Sequence, residues 1–188
     1  MVHIYGHSWP VRWGNANEAK LVKVYSNCAS VELFVNDVSA GKRVRDSQQF
    51  PAAGLRWLVQ FREGTNSLKA VGIKDRVVAS DEISLRYQTA KWEKPSRLLL
   101  MSVARKENST VVEVNAVDAA GVVCLDARNF VRFDVVGDGR LIDNMGTSTS
   151  ARKVQLYNGR ALISVEQKGQ AVVSVASDGL PTAFLNLK

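Results

Sequence analysis

Apolar and polar residues alternate over short stretches of this chain, which is the pattern of β-strands. Within Arg56–Phe61 the side chains of Trp57, Val59 and Phe61 occupy every second position and therefore one face of a strand. Leu21–Ser26 is a similar run of β-branched and aromatic residues. The apolar spacing of an amphipathic helix does not persist anywhere in the sequence. The pattern predicts an all-β fold.

The predicted strands fill two regions of similar length. Between them, residues 88–96 are polar and contain Pro95, a composition typical of a linker that lacks strand partners. Short strands separated by turn residues at this spacing are typical of β-sandwiches. The sequence therefore predicts two immunoglobulin-like β-sandwich domains in tandem, over residues 1–87 and 97–188.

Composition and charge exclude several kinds of protein. The chain has 188 residues, and no apolar stretch approaches the ~18 residues needed to span a bilayer, so we expect no membrane partner. There are 25 basic and 18 acidic residues, which give a net charge of +7. The densest basic cluster, Lys42–Arg45, is shorter than the patches typical of nucleic-acid-binding proteins. We therefore expect no nucleic acid partner.

Residues that commonly catalyse reactions or bind metals are sparse. Both histidines, His3 and His7, lie on an N-terminal segment that would hold a catalytic base poorly. Cys28 and Cys124 are far apart and lack the neighbouring ligands of a zinc site, so we expect two buried thiols, with a single disulfide as the alternative. The sequence predicts no catalytic residue, no metal site and no cofactor.

Three of the four tryptophans lie outside the predicted strands. Trp9, Trp13 and Trp92 are therefore the candidates for exposed indole rings, and exposed rings of this kind stack on sugars, so we predict them as oligosaccharide-binding residues. An interface with another domain would use them equally well. Trp57 shares a strand face with other apolar residues and is predicted to lie in the core.

Three stretches of the first region resemble the sandwich domain that follows the catalytic barrel in glycoside hydrolase family two. They are His3–Trp9, Val22–Asn27 and Val31–Asn36. The family, which includes β-galactosidases and β-glucuronidases, usually has glycine after the third stretch. Here Asp37 follows, so we expect a different turn.

The second region resembles the further C-terminal sandwich of the β-galactosidase-like members of that family. Val117–Val123 and Val135–Gly139 carry this similarity. The resemblance implies a non-catalytic C-terminal region of a glycosidase, because the catalytic glutamates of the family lie on the barrel and match no position here. The expected partner is the catalytic barrel of the parent protein, which this region would support, together with its active-site rim.

The resemblance also gives residues 1–14 a role. They lack the regular alternation of a strand, and in the family such a segment descends from the barrel, so His7 and Trp9 are the expected barrel interface. Two alternatives are a carbohydrate-binding module and an adhesion-type immunoglobulin-like pair with a protein partner. The family resemblance implies a periplasmic or extracellular parent, although Met1–His7 has neither the basic head nor the apolar run of a signal peptide.

Overall fold

The computed structural model describes residues 1–45, 53–74, 77–142 and 151–188. These residues form fourteen β-strands and no helix, so the predicted all-β class is confirmed. In the part of the chain described, no helix could therefore cross a membrane.

The chain divides into two compact units, residues 1–90 and residues 91–188. The strands of the first unit are β1 (Val2–Ile4), β2 (Val11–Trp13), β3 (Ala19–Ser26), β4 (Ser30–Val35), β5 (Val38–Val44), β6 (Leu55–Gln60), β7 (Gly64–Lys74) and β8 (Val77–Gln88). They form one sheet in the order β1-β3-β6 and another in the order β2-β8-β7-β4-β5. Apolar residues of both sheets form one shared core, as in a β-sandwich.

The predicted alternation in the first unit is confirmed. Trp57, Val59 and Phe61 are buried, whereas Leu58 between them is 72% exposed. The indole Nε1 of Trp57 donates a hydrogen bond to the carbonyl oxygen of Gly41 at 2.8 Å. The largest side chain of this core therefore buries its apolar body without leaving its polar atom unsatisfied.

The N-terminal segment contributes two strands to the first sandwich, although residues 1–14 lack the regular alternation of a strand in the sequence. β1 pairs with β3 in one sheet, and β2 pairs in parallel with β8 in the other sheet. β1 and β2 are thus the two halves of a split first strand, and the residues between them cross from one sheet to the other. Sequence alternation missed both halves because each is three residues long.

The turn between β4 and β5 uses left-handed backbone at two residues that are not glycine. Asn36 has a φ of 50° and Asp37 a φ of 65°. Two successive positive φ values are typical of a type I′ hairpin turn, which asparagine and aspartate tolerate better than other residues with a side chain. Asp37 therefore adopts a conformation that is more common for glycine.

The second unit is organised around one long strand. Its strands are β9 (Arg97–Lys106), β10 (Ser109–Val117), β11 (Phe130–Ile142), β12 (Lys153–Gln155), β13 (Arg160–Ser177) and β14 (Leu180–Leu187). β11 pairs with one edge of β13, while the other edge is shared between β10 and then β14. The inward residues of these strands form a separate core that includes Phe133 and Ile163.

A bulge interrupts the β11–β13 ladder between Gly137 and Gly139. Gly137 has a φ of 91°, and a Cβ atom there would lie 2.5 Å from the carbonyl oxygen of Gln170. Only glycine fits this position, so the bulge depends on it.

Residues 91–96 form hydrogen bonds with the second unit. The sequence had predicted that residues 88–96 form a linker that lacks strand partners. The amide of Glu93 donates to Asp118 Oδ2 at 3.0 Å, and the amide of Ser96 donates to the carbonyl of Val117 at 2.9 Å. Trp92 also packs against the core of the second unit. At the other end of the predicted linker, Gln88 is the last residue of β8.

The two cysteines are free thiols, one in each core, as the sequence favoured. Burial, together with the nearby charges of Asp118 and Asp126, raises the pKa of Cys124 to about 11. A pKa so far above neutral keeps Cys124 in the protonated, unreactive form at about pH 8.

We therefore expect a disulfide-exchange dye to label neither cysteine of the folded chain at about pH 8, and both after unfolding in guanidinium chloride. Unfolding removes the burial that suppresses the thiolate. Absorbance of the released dye measures the number of thiols that react. Fast labelling of Cys124 in the folded chain would contradict the buried site, and fewer than two thiols after unfolding would indicate a disulfide.

Candidate functional site

Five rings lie around the turn between β1 and β2 and on the neighbouring strand β3. We call them the ring cluster: His3, Tyr5, His7, Trp9 and Tyr25. The His3 and His7 rings stack with their centroids 4.9 Å apart and an angle of 8° between their planes. Tyr5 meets Trp9 edge-to-face at 5.3 Å and Tyr25 at 6.2 Å. The first nine residues thus contribute four of the five rings.

The ring cluster is partly open to solvent. Tyr5 is 48% exposed, and Trp9 is half-buried. The Lys23 ammonium nitrogen lies 4.9 Å from the centre of the Tyr25 ring, close enough for a cation–π contact. The surface therefore presents partly exposed tyrosine and tryptophan rings, which are enriched in protein interfaces.

A tight turn holds these rings in place. Gly6 has a φ of 105°, and its carbonyl accepts a hydrogen bond from the amide of Trp9 at 3.0 Å. The Arg12 Nη2 atom donates to the carbonyls of Tyr5 and Gly6 at 3.5 and 3.4 Å. A Cβ atom on Gly6 would lie 2.6 Å from that nitrogen, so a side chain there would displace the guanidinium.

Arg12 is partly buried by this arrangement. Burial lowers the pKa of its guanidinium, which stays charged at neutral pH. Its Nε atom is buried without a hydrogen-bond partner among the described residues. The turn is therefore held by a charged group that does not use all of its hydrogen-bond donors.

Asp81, on β8, connects the second sheet to the segment that carries the rings. Its Oδ2 atom accepts a hydrogen bond from the amide of Ile4 at 2.6 Å and lies 2.8 Å from His7 Nε2. Partial burial opposes ionisation of Asp81, but these hydrogen bonds outweigh it and lower the pKa of the carboxyl group. The ionised carboxylate accepts only, so the proton of this contact is carried by His7 Nε2.

The predicted tryptophans lie on three different parts of the chain. Trp9 lies in the turn after β1, and Trp13, which is 36% exposed, ends β2 beside Gln88 of β8. Trp92 belongs to the other compact unit. Their predicted role in oligosaccharide binding stays a prediction, as does the predicted barrel contact of His7 and Trp9.

A hollow of about 650 Å³ lies beside Trp92. Its lining residues are Lys91, Trp92, Glu93, Lys94, Pro95, Ala119 and Asp126. The Trp92 indole is half-buried, and its Nε1 atom donates to Asp126 Oδ1 at 2.5 Å. A ring fixed in this way and bordered by charged side chains has the composition of a small polar ligand site.

The described carboxyl groups with clearly shifted pKa values are all shifted downward. Hydrogen bonds from the Glu93 and Val122 amides lower the pKa of Asp118 against a smaller effect of burial, and the Arg140 guanidinium lowers that of Glu166. Asp81 and Glu18 follow the same direction. These groups are stabilised as carboxylates at neutral pH, and none is tuned to act as a general acid.

Sequence reasoning missed the partners that complete these sites. Asp81 lies 74 residues after His7, and Asp126 lies 34 residues after Trp92. Only the folded chain brings them together, and contacts across such distances leave no local spacing in the sequence. Tyr5, in contrast, belonged to the aromatic N-terminal segment that the sequence had already singled out.

Two family models match this chain. Residues 17–79 match a domain of unknown function (DUF4982), and residues 102–186 match the glycoside hydrolase family 2 C-terminal domain 5. Each matched stretch lies within one of the two compact units.

Several glycosidases contain a region similar to this whole chain. The crystal structure of a Parabacteroides merdae β-glucuronidase is 50% identical with a TM-score of 0.92, over all of this chain and 24% of that protein. A putative β-glucuronidase of Formosa agariphila is 37% identical over 99% of this chain and 23% of its own length. A β-galactosidase of Bacteroides ovatus is 29% identical over all of this chain and 22% of its own length.

The chain thus spans about a quarter of the length of the relatives that it matches. The similarity covers both sandwiches, and the fold of this chain agrees with the fold of the matching region in the Parabacteroides merdae crystal structure. This agrees with the resemblance carried by the sequence motifs of both units. The chain belongs to the C-terminal β-sandwich region of glycoside hydrolase family 2.

Proposed function

We propose that this chain is a non-catalytic accessory region of a larger glycosidase of the β-glucuronidase type, in which it supports the catalytic barrel and the rim of its active site. The 50% identity to the Parabacteroides merdae β-glucuronidase supports that type, and β-galactosidase activity is the alternative for the parent. The family resemblance supports a periplasmic or extracellular location of the parent.

The state of the carboxyl groups supports a non-catalytic role. Glycoside cleavage needs two carboxyl groups about 5–9 Å apart across a cleft, one of them with a raised pKa. Asp81, Asp118 and Glu166 have lowered pKa values, because each is bound by hydrogen-bond donors of its own unit. These carboxylates stabilise the sandwiches instead.

The observation that carries the proposal is the ring cluster on the split first strand. Its rings are fixed by a glycine turn and by Asp81, yet Tyr5 and His7 remain about half exposed. Fixed and partly exposed aromatic residues are enriched in the cores of protein interfaces. The ring cluster is the surface proposed to contact the barrel, with His7 and Trp9 as its contacts.

We expect the purified chain to hydrolyse neither a nitrophenyl glucuronide nor a nitrophenyl galactoside, because every clearly shifted carboxyl pKa among the described residues is lowered, whereas the reaction needs one that is raised. Release of nitrophenol measures turnover. The matched control is the full-length parent, which should hydrolyse one of the two substrates. Turnover by the chain alone that disappears in an Asp or Glu variant would contradict the proposal.

We expect Trp9→Ala to destabilise the isolated chain by less than the ~3–5 kcal/mol typical of a buried tryptophan, because the Trp9 side chain is only partly buried. The same substitution should destabilise the full-length parent more, since there it also removes the contact with the barrel. Denaturant unfolding followed by circular dichroism gives both values.

Trp57→Ala is the matched control for this comparison. Trp57 is fully buried in the same unit, so its loss should cost ~3–5 kcal/mol equally in the chain and in the parent. If Trp9→Ala costs the isolated chain as much as Trp57→Ala, Trp9 is a core residue and not part of a docking surface.

Oligosaccharide binding is a second candidate function, favoured by the hollow at Trp92. A volume of about 650 Å³ accommodates a small sugar, since ligand pockets span roughly 300–1,000 Å³. The half-buried indole offers a stacking surface, and Lys91, Lys94 and Asp126 offer hydrogen-bonding groups beside it. This candidate uses the second unit alone and does not depend on the barrel.

For this second candidate we expect uronate-containing or neutral oligosaccharides to bind the chain, with at least a tenfold loss of affinity in Trp92→Ala. Isothermal titration calorimetry measures the affinity, and circular dichroism confirms that the variant is folded. Phe184→Ala, at an exposed aromatic residue of the same unit, is the matched control and should bind as the wild type does. Equal affinity of the folded Trp92→Ala variant, or loss in the Phe184→Ala variant, would contradict a site at this hollow.

A further inference from the structure

Three potential metal ligands converge beside the ring cluster, from parts of the chain that are distant in sequence. His3 lies on β1, His7 lies in the following turn and Asp81 lies on β8. One ligand atom of each residue lies within 4.8 Å of the others. His7 Nε2 is 2.8 Å from Asp81 Oδ2, and His3 Nδ1 is 3.7 Å from the same oxygen.

These distances are close to those that a metal ion needs. Zinc binds imidazole nitrogen and carboxylate oxygen at about 2.0–2.2 Å, so adjacent ligand atoms of a tetrahedral site are about 3.3 Å apart. The two distances to Asp81 lie on either side of that value. The three ligand atoms lie within 4.8 Å of one another, so the histidines must rotate to bring them to one centre, and their side chains, 51% and 43% exposed, have room to do so.

The surrounding structure orients these ligands. The amide of Ile4 donates to Asp81 Oδ2 at 2.6 Å, and a hydrogen bond of this kind fixes the direction of a metal-binding carboxylate. The His3 and His7 rings are stacked, and one nitrogen of each ring lies near the same oxygen of Asp81. Two of the three ligands lie on strands, which position them more firmly than loops do.

The donor set indicates the class of ion. Two imidazole nitrogens and one carboxylate oxygen suit late transition-metal ions, whereas magnesium and calcium prefer sites made of oxygen. The exposed side of the histidines leaves room for water as a further ligand. We propose that His3, His7 and Asp81 bind one divalent transition-metal ion of the zinc class, with water completing its coordination.

The ion would connect the two sheets of the first sandwich. His3 and His7 belong to the segment that pairs with β3, whereas Asp81 belongs to β8 in the other sheet. Binding of the ion to the folded chain alone stabilises that chain by mass action. The site would thus hold the N-terminal segment more firmly against β8.

The test is a zinc titration of the untagged chain after treatment with a chelator, since a polyhistidine tag would itself bind zinc. Isothermal titration calorimetry should show one equivalent of Zn²⁺ bound. The thermal unfolding midpoint of the chain should rise with Zn²⁺ concentration, and Mg²⁺ at the same concentration should not raise it. The absence of zinc binding at millimolar concentration, or an equal effect of Mg²⁺, would overturn the proposal.

Ligand variants locate the site. His3→Gln, His7→Gln and Asp81→Asn should each weaken Zn²⁺ binding at least tenfold. Asp81→Asn keeps an oxygen that accepts the Ile4 amide, so this variant should still fold. Asp134→Asn, at a carboxylate of the second unit that is 53% exposed, is the matched control and should bind like the wild type. Equal affinity in all three ligand variants would refute the assignment.

Discussion

The first sandwich depends on one constraint: its N-terminal segment must satisfy hydrogen bonds in two sheets. β1 fills one edge of the smaller sheet, and after a glycine turn β2 fills an edge of the larger one. The amide of Ile4 on the free side of β1 would face an incomplete sheet edge, and Asp81 supplies the acceptor that β3 cannot. This single carboxylate therefore completes an edge, holds His7 and sets where the rings of the segment lie.

The second sandwich links its strands in another way. Instead of a split strand it uses β13, which has 18 residues and changes its partner from β10 to β14 along one edge. Gly137 permits the bulge that accompanies this change, because no side chain fits against Gln170. The two units thus share an architecture but differ in the residue on which it depends, which is the partly buried carboxylate of Asp81 in the first unit and Gly137 in the second.

The sequence predicted the fold class because alternation is a local signal. Trp57, Val59 and Phe61 are buried as their spacing indicated. The same signal fails for β1 and β2, because three residues are too few to show a period. The exposure of Trp13 was predicted from its position outside the predicted strands, whereas the contacts of His7 and Trp92 were not predicted, since their carboxylate partners lie far away in the sequence.

The parallel pairing of β2 with β8 has a mechanical consequence. β2 lies near the start of the first unit and β8 ends it, and the two strands run in the same direction, with Val11 beside Arg86 and Trp13 beside Gln88. A force that separates the two ends of the unit pulls these strands past each other along their length. The hydrogen bonds from Arg86 to Pro10 and from Gly14 to Gln88 are then stretched together and not one after another. The unit therefore resists tension along the chain as a spacer whose end strands are loaded in shear.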